Sequence, residues 1–215
     1  IDRIRARSLA LGFDPGTFET ISATQEEEKI LAKIDWNISD RHRLSVRYDT
    51  NEGQQPDFGE YTDFSSSRPE TALTSHFFTD DRQVQTIVGE LTSFWTDNLQ
   101  SQIRYGNTQI DKVPALNQPF FPEIIINNVN GTAQNGSMTS RGEIFFGTED
   151  SRQSNSLTSE ITNLAAHFDY FQGDVTYSFG VDSEKSEFDN LFLQDTFGNY
   201  TYNSIADFEN DMVAF

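Results

Sequence analysis

An all-β, antiparallel fold is predicted by three features of this sequence. Apolar residues alternate with polar residues at a period of two, which is the repeat of a strand with one apolar face. The alternating runs come in pairs joined by short turns, whereas the connections between pairs are long. Aromatic residues stand at the ends of the runs. A helical protein would show an apolar repeat of about 3.6 residues instead.

Composition narrows the classes of function. The 215 residues include 34 acidic and 15 basic side chains, a net charge of -19 that argues against nucleic-acid binding. Aromatic residues make up 13%, more than a disordered acidic chain would carry. The absence of cysteine excludes disulfides and thiol catalysis. No apolar run is long enough for a transmembrane helix, and a start at Ile1 without Met leads us to expect a fragment of a longer protein.

The first predicted hairpin consists of two alternating runs, 30–37 and 43–49. The apolar side of these runs carries Ile30, Ala32, Ile34, Trp36, Leu44, Val46 and Tyr48. The other side carries Leu31, Lys33, Asp35, Asn37, Arg43, Ser45, Arg47 and Asp49. A turn near Ser39-Asp40 joins the runs, so the pair predicts an antiparallel hairpin.

Two further hairpins follow the same rule. The second pairs residues 83–95 with 99–105 through a turn near Asp97-Asn98. The third pairs residues 157–168 with 175–181 through a turn near Gln172-Gly173. Glu90 and Asn163 interrupt the alternation of the outgoing strands, so their register is open by one residue.

Unequal connections favour one architecture. Long segments follow Asn51, Gly106 and Ser183, while the turns within hairpins are short. Short turns on one side and long loops on the other are typical of an outer-membrane β-barrel, whose strands of about 9–11 residues cross the bilayer. The fold class predicted is therefore an antiparallel transmembrane β-barrel fragment of about six strands with long extracellular loops. A non-transporting secreted or surface protein, such as a glycan-binding β-sandwich, remains the alternative.

Barrel geometry assigns a side to each strand residue. Ile34, Val46, Ile103 and Phe179 are predicted to face lipid. The residues predicted to face the lumen are Lys33, Asp35, Arg43, Arg47, Asp49, Gln102 and Arg104, with Asp182 on the same side. The aromatic residues predicted to contact substrate from the first long loop are Phe58, Tyr61 and Phe64, and packing of one loop on another is the alternative use of these rings. That loop, 51–82, holds seven acidic and two basic residues, which predicts an anionic rim that attracts cationic solutes.

Catalytic and metal-binding patterns are weak. His42, His76 and His167 stand in unrelated segments. The acidic stretch of Asp182, Glu184, Glu187 and Asp189 lacks the order of an EF-hand loop. No nucleophile-elbow motif occurs. The sequence therefore predicts neither catalysis, nor a metal, nor a cofactor.

Several segments resemble a known family. They are Gly-Phe-Asp-Pro-Gly-Thr-Phe at 12–18, the run through 32–44, and the segments 188–192, 197–202 and 204–208. In this order they resemble the barrel region of TonB-dependent outer-membrane receptors, specifically the Oar-like branch with a carboxypeptidase-regulatory-like N-terminal module. The resemblance makes residues 1–215 one partial barrel domain, and it implies a plugged barrel of about 22 strands.

The same resemblance implies a function and partners. It points to transport of a peptide, protein or other large solute across the outer membrane of a Gram-negative bacterium. The implied partners are outer-membrane lipid, lipopolysaccharide, the solute, and the TonB complex through a plug outside these residues. No nucleic acid and no cofactor are implied.

Overall fold

The structure is a computed structural model that describes residues 1–18, 24–58, 69–132 and 136–214. Within these ranges the chain forms two sheets and two α-helices. The helices are α1 (Asp2–Ala10) and α2 (Ile205–Glu209). The strands are β1 (Glu26–Ser39), β2 (His42–Asp57), β3 (Glu70–Ala72), β4 (Phe78–Thr96), β5 (Leu99–Leu116), β6 (Glu123–Thr132), β7 (Met138–Phe146), β8 (Asn155–Gln172), β9 (Val175–Phe192) and β10 (Asn199–Tyr202).

Six strands form one antiparallel sheet in the order β1-β2-β4-β5-β8-β9. Its three hairpins turn over two residues each, at 40–41, 97–98 and 173–174. The third turn begins with Gly173 at φ +58°, a backbone conformation that glycine adopts without a steric penalty. The three predicted hairpins and the positions of their turns are confirmed to within one residue.

These strands are longer than predicted, at 14 to 19 residues. The segments assigned to loops after Asn51, Gly106 and Ser183 continue as strand to Asp57, Leu116 and Phe192. In these distal parts both faces carry polar side chains, so the alternation of hydropathy that marks a strand is lost. The backbone ladder nevertheless continues, because its hydrogen bonds do not depend on side-chain polarity.

The long connections do not remain loops. Together with the first residues of the chain they form a second unit, which we call the cap: residues 1–18, 69–77, 117–132, 136–154 and 193–214. Its sheet has the order β10-β6-β7-β3, in which β10 runs parallel to β6 and β3 runs parallel to β7. The cap lies beyond the strand ends opposite the three short turns.

A hydrophobic core stabilises the cap. Side chains of its sheet pack against the two helices, and Ile4, Leu73, Ile126 and Phe146 have no exposed surface. The ring of Phe208 in α2 meets Phe146 edge-on at a centroid distance of 5.5 Å. Aliphatic and aromatic burial of this kind contributes about 1.5–3 kcal/mol per large side chain.

Polar contacts join the two ends of the chain within the cap. Arg7 of α1 donates to the carboxylate of Asp211 at 2.6 Å, and Arg3 pairs with Glu209. Ser204 caps α2, because its Oγ accepts a hydrogen bond from the backbone N–H of Asp207 at 3.1 Å. Residues at opposite ends of the chain therefore share one folded unit.

Candidate functional site

The six-stranded sheet has two chemically different faces. The strand register places one set of apolar side chains together, and we call this side the apolar face. Its residues are Ile30, Ala32, Ile34, Trp36, Leu44, Val46, Tyr48, Ile87, Leu91, Ile103, Tyr105, Leu164, Ala166, Phe168, Tyr177, Phe179 and Val181. Ile34 is 71% exposed and Val181 is 62% exposed. An apolar patch of this extent marks contact with a membrane or a partner rather than with water.

The opposite side, which we call the polar face, carries every strand residue that the sequence assigns to the lumen. Lys33 and Asp35 stand on β1, and Arg47 stands on β2. The other members on this face are Arg43, Asp49, Gln102, Arg104 and Asp182. The register places Ile34, Val46, Ile103 and Phe179 on the other side, so the two sets are separated as the alternation predicts.

Ion pairs connect the polar face across strands β1 and β2. Asp35 lies 3.2 Å from both Lys33 Nζ and an Arg43 guanidinium nitrogen, so one carboxylate serves two cations. Arg47 Nε lies 2.9 Å from Asp49 Oδ1. These side chains are partly exposed, and such pairs contribute about 0–1 kcal/mol each. These ion pairs hold the side chains of the polar face in place, but they add little to the free energy of folding.

A groove follows the polar face over β5, β8 and β9. Its lower part is a cavity of about 550 Å³ near the short turns, where Asp169 accepts hydrogen bonds from Gln100 at 2.9 Å and Ser178 at 2.6 Å. His167 Nε2 lies 2.9 Å from the carboxylate of Asp182. Gly106 and Gly180 line the groove without side chains. The groove is therefore polar, open and well supplied with hydrogen-bonding groups.

The acidic stretch near the end of the third hairpin does not form one cluster. Its four residues belong to β9, where Asp182 and Glu184 lie on the polar face while Glu187 and Asp189 lie on the other. In the described part of the chain no group of three or more His, Asp or Glu residues could hold a metal ion. Of the histidines, His42 packs edge-on against Trp95 at 5.3 Å and His167 pairs with Asp182.

Only one of the three predicted substrate-contacting aromatics lies in a described range. Phe58, which follows β2, packs edge-on against Phe77 of the cap at a centroid distance of 5.1 Å. Tyr61 and Phe64 lie outside the described residues. The Phe58 ring therefore links the end of a sheet strand to the cap.

No local pattern in the sequence predicts the polar cluster that lies where the cap meets the sheet. We call it the junction; its buried members are His76, Glu123 and Glu149, with the partly buried Arg152 and the exposed Asn199 at its edge. His76 precedes β4 and Arg152 precedes β8, so two strands leave the cap from this cluster. His76 Nε2 lies 3.8 Å from Glu123 Oε1, and Asn199 donates to the other oxygen of Glu123.

Burial changes the protonation of the junction. Burial, reinforced by the carboxyl groups of Asp150 and Glu149, raises the pKa of Glu123 to about 8. Burial also raises the pKa of Glu149 to about 7 and lowers the pKa of His76 to about 4. Near neutral pH Glu123 therefore keeps its proton and His76 is uncharged. Their contact is one between two neutral groups rather than an ion pair.

The backbone beside the junction requires a glycine at position 147. Gly147 has φ +89°, and a Cβ there would fall 2.0 Å from the carbonyl oxygen of Pro122. Its N–H donates to Ser75 Oγ at 3.0 Å. The side chains of the junction come from segments far apart in the sequence. For this reason no local sequence motif predicts the cluster.

Comparison with known proteins identifies the family. Residues 11–214 match the family described as "Outer membrane beta barrel domain". No curated protein and no solved structure matches the chain significantly. Among the described residues, no helix has the length and apolarity needed to cross a membrane. The match covers nearly the whole chain, in agreement with the antiparallel sheet and its apolar face. The chain belongs to the outer membrane beta barrel domain family, and it is located in the outer membrane in association with its lipid.

Proposed function

We propose that this chain forms part of the wall of a TonB-dependent transporter that moves a peptide, protein or other large solute across the outer membrane. The observation that carries the proposal is the polar face. It combines ion pairs between Asp35 and its cationic neighbours with an open groove, and it stands opposite a continuous apolar face. A barrel wall with a polar lumen and a lipid-covered exterior needs this division.

The sheet arrangement supports a barrel wall over the β-sandwich alternative. A sandwich buries the apolar face of one sheet against another sheet. Here the cap sheet packs its apolar residues against α1 and α2, and none of the described segments covers the apolar face of the six-stranded sheet. Lipid is then the natural cover for that face.

In this proposal Lys33, Arg47 and Arg104 line the lumen with the other residues of the polar face. Several of their charges are already paired within the sheet, for example Arg104 Nε with Glu90 at 3.8 Å. A solute or plug that enters the lumen would therefore replace one member of an existing ion pair rather than bind an unpaired charge. The cost of entry is small because the pairs are exposed and weak.

The cap extends the proposal to substrate recognition. It stands at the end of the sheet opposite the short turns, which in outer-membrane barrels is the extracellular end. The segment 51–82 carries seven acidic and two basic residues, so the rim favours cationic over anionic cargo. Tyr61 and Phe64 of this segment are proposed to contact the cargo together with Phe58.

Two glycine substitutions in the intact receptor test the transport role. Gly106 lies in the groove of the polar face, whereas Gly89 lies on the apolar face with open space beside it. Gly106→Trp narrows the lumen and should reduce cellular uptake of a fluorescent lysine-rich peptide, while the matched Gly89→Trp should leave uptake unchanged. Equal uptake by both variants would contradict a lumen at this face.

An energy-coupling measurement tests the TonB assignment separately. Uptake through the unaltered receptor should stop when an uncoupler collapses the proton gradient of the inner membrane, or when TonB is deleted. An acidic peptide of equal length serves as the control for charge selection and should enter more slowly. Uptake that persists without TonB would refute energised transport while leaving the outer-membrane location intact.

A further inference from the structure

The apolar face ends at a different height on each strand. Counted away from the short turns, the uninterrupted apolar part of the face ends at Ile30, Tyr48, Ile87, Tyr105, Leu164 and Val181. The next residues on the same face are all polar: Glu28, Thr50, Gln85, Asn107, Thr162 and Ser183. Farther out, Val113, Ala115 and Leu191 are isolated apolar residues among polar and acidic ones. The boundary is therefore sharp on all six strands.

This boundary does not follow the rows of paired residues. The row that starts at Ile30 passes through Thr50, Gln85, Gln109, Glu160 and Glu187. Glu187 lies six residues beyond Val181, so the boundary drops by six residues between β1 and β9. With about 3.3 Å per residue and about 4.8 Å between strands, this drop is about 20 Å over about 24 Å. The boundary therefore crosses the rows at about 40°.

The turns give an independent second line. The row through His42 at the first turn passes through Ser101 and Phe168. Ser101 is two residues from Leu99, where β5 leaves the second turn, and Phe168 is four residues from Gln172, where β8 enters the third turn. Relative to the rows, the turns therefore shift by about one residue for each strand. The line through the turns crosses the rows at an angle of about 35°. Both edges of the apolar band run nearly parallel to each other and oblique to the rows.

We propose that the hydrocarbon of the outer membrane covers only this oblique band, with the strands tilted by about 35–40°. The acyl chains then contact the apolar face between the turns and the Ile30–Val181 line, and the distal part of each strand stands outside the hydrocarbon together with the cap. The band is about eight residues deep, or about 20 Å along the membrane normal. Barrels have strands tilted by about 35–45° and an apolar band about 25 Å tall.

Charge on the distal part of the same face supports this limit. The acidic residues there are Glu26, Glu28, Glu52, Asp81, Asp111, Glu160, Glu187 and Asp189. Lys185 is the one cation on that part of the face within the described strands. Carboxylates in such number are incompatible with hydrocarbon, because each buried charge is costly without a partner. The inference rests on the outer-membrane location and is independent of the transport proposal.

A pair of residues in one row tests the oblique boundary. These 215 residues contain no cysteine, so an introduced cysteine is unique within them, and any cysteine elsewhere in the receptor is first replaced by serine. Ile30→Cys and Glu187→Cys in the intact receptor, labelled with an environment-sensitive fluorophore, are placed in vesicles that contain lipids with quenchers on their acyl chains. We expect strong quenching and blue-shifted emission at position 30, and aqueous emission at position 187.

Matched controls complete the design. Val181→Cys lies at the same proposed depth as position 30 but in another row, so it should be quenched like Ile30→Cys. Leu31→Cys lies on the polar face and should escape lipid quenching. If Ile30→Cys fails to assemble, Ala32→Cys replaces it, with Thr162→Cys as its partner in the same row. Equal quenching at positions 30 and 187, or none at either, would overturn the proposal.

Discussion

The cap and the six-stranded sheet use apolar residues in opposite ways. The cap encloses Ile126, Phe146 and their neighbours in a core between its sheet and its helices. The sheet exposes Ile34, Val181 and their neighbours along one face and contributes few residues to any protein core. Stability therefore has two sources in this protein. Protein packing stabilises the cap, whereas the sheet depends on the lipid that covers its apolar face.

Removal of a large cap side chain should give the largest effect. Phe146→Ala deletes a fully buried ring and should destabilise the cap by about 3–5 kcal/mol. Hydrogen exchange of the cap amides in the intact receptor measures this loss. The hairpins should keep their protection, because they share little of that core. Equal loss of protection in the sheet would show that the two regions do not have separate sources of stability.

A charge on the apolar face should affect membrane assembly almost as strongly. Val46→Arg places a cation in the hydrocarbon and should cost about 2–4 kcal/mol in the folding free energy in bilayers. Ser45→Arg is the matched control, because the neighbouring residue lies on the polar face. Folding titrations in urea with lipid vesicles compare the two variants. Similar effects would mean that the faces have been assigned to the wrong environments.

The junction should make the stability of the cap depend on pH. Because the pKa of Glu123 rises from 4.5 to about 8, its contribution is complete below pH 4.5 and is lost as the pH rises to 8. His76 acts in the opposite direction, since its lowered pKa of about 4 destabilises the cap as the pH falls below 6.5.

A neutral variant separates these terms. Glu123→Gln cannot lose a proton and should stabilise the cap by about 2 kcal/mol at pH 8 while changing little at pH 5. Cap protection, corrected for the intrinsic pH dependence of exchange, is the measurement. Glu143→Gln, also buried in the cap, serves as the comparison. A Glu123→Gln cap that still weakens between pH 5 and 8 as the unaltered cap does would assign the effect to other groups.

The helix cap of α2 should have a smaller role. Ser204→Ala removes the acceptor of the Asp207 N–H and should cost about 1 kcal/mol in cap stability. Ser204→Asp restores an acceptor and should recover most of the loss. Failure of aspartate to rescue would show that the hydroxyl acts through packing instead.

The smallest effect is expected from one ion pair of the polar face. Arg47→Gln breaks the pair with Asp49 and should change the folding free energy in bilayers by less than about 1 kcal/mol, because both side chains are partly exposed. The same vesicle titration as for Val46→Arg gives the comparison. A loss as large as that of Val46→Arg would mean that the polar face is buried against protein.

The hairpins and their two faces follow from local sequence. A period of two over 30–37 and 43–49 separates Lys33 from Ile34 and Val46 from Arg47, and short polar breaks place the turns. These are local properties, because the alternation of apolar and polar residues along a strand involves only consecutive residues. The alternation therefore groups the residues of the polar face on one side of the sheet, although no local signal states what they bind.

Long-range packing determines where the strands end and folds the connections into a cap. β10 pairs with β6 across more than 70 residues, and neither strand alternates in a way that names its partner. Glu123, His76 and Glu149 meet for the same reason, since their proximity arises from the packing of three separate segments. The distal strand segments carry polar residues on both faces, and their pairing comes from backbone hydrogen bonds that leave no trace in hydropathy.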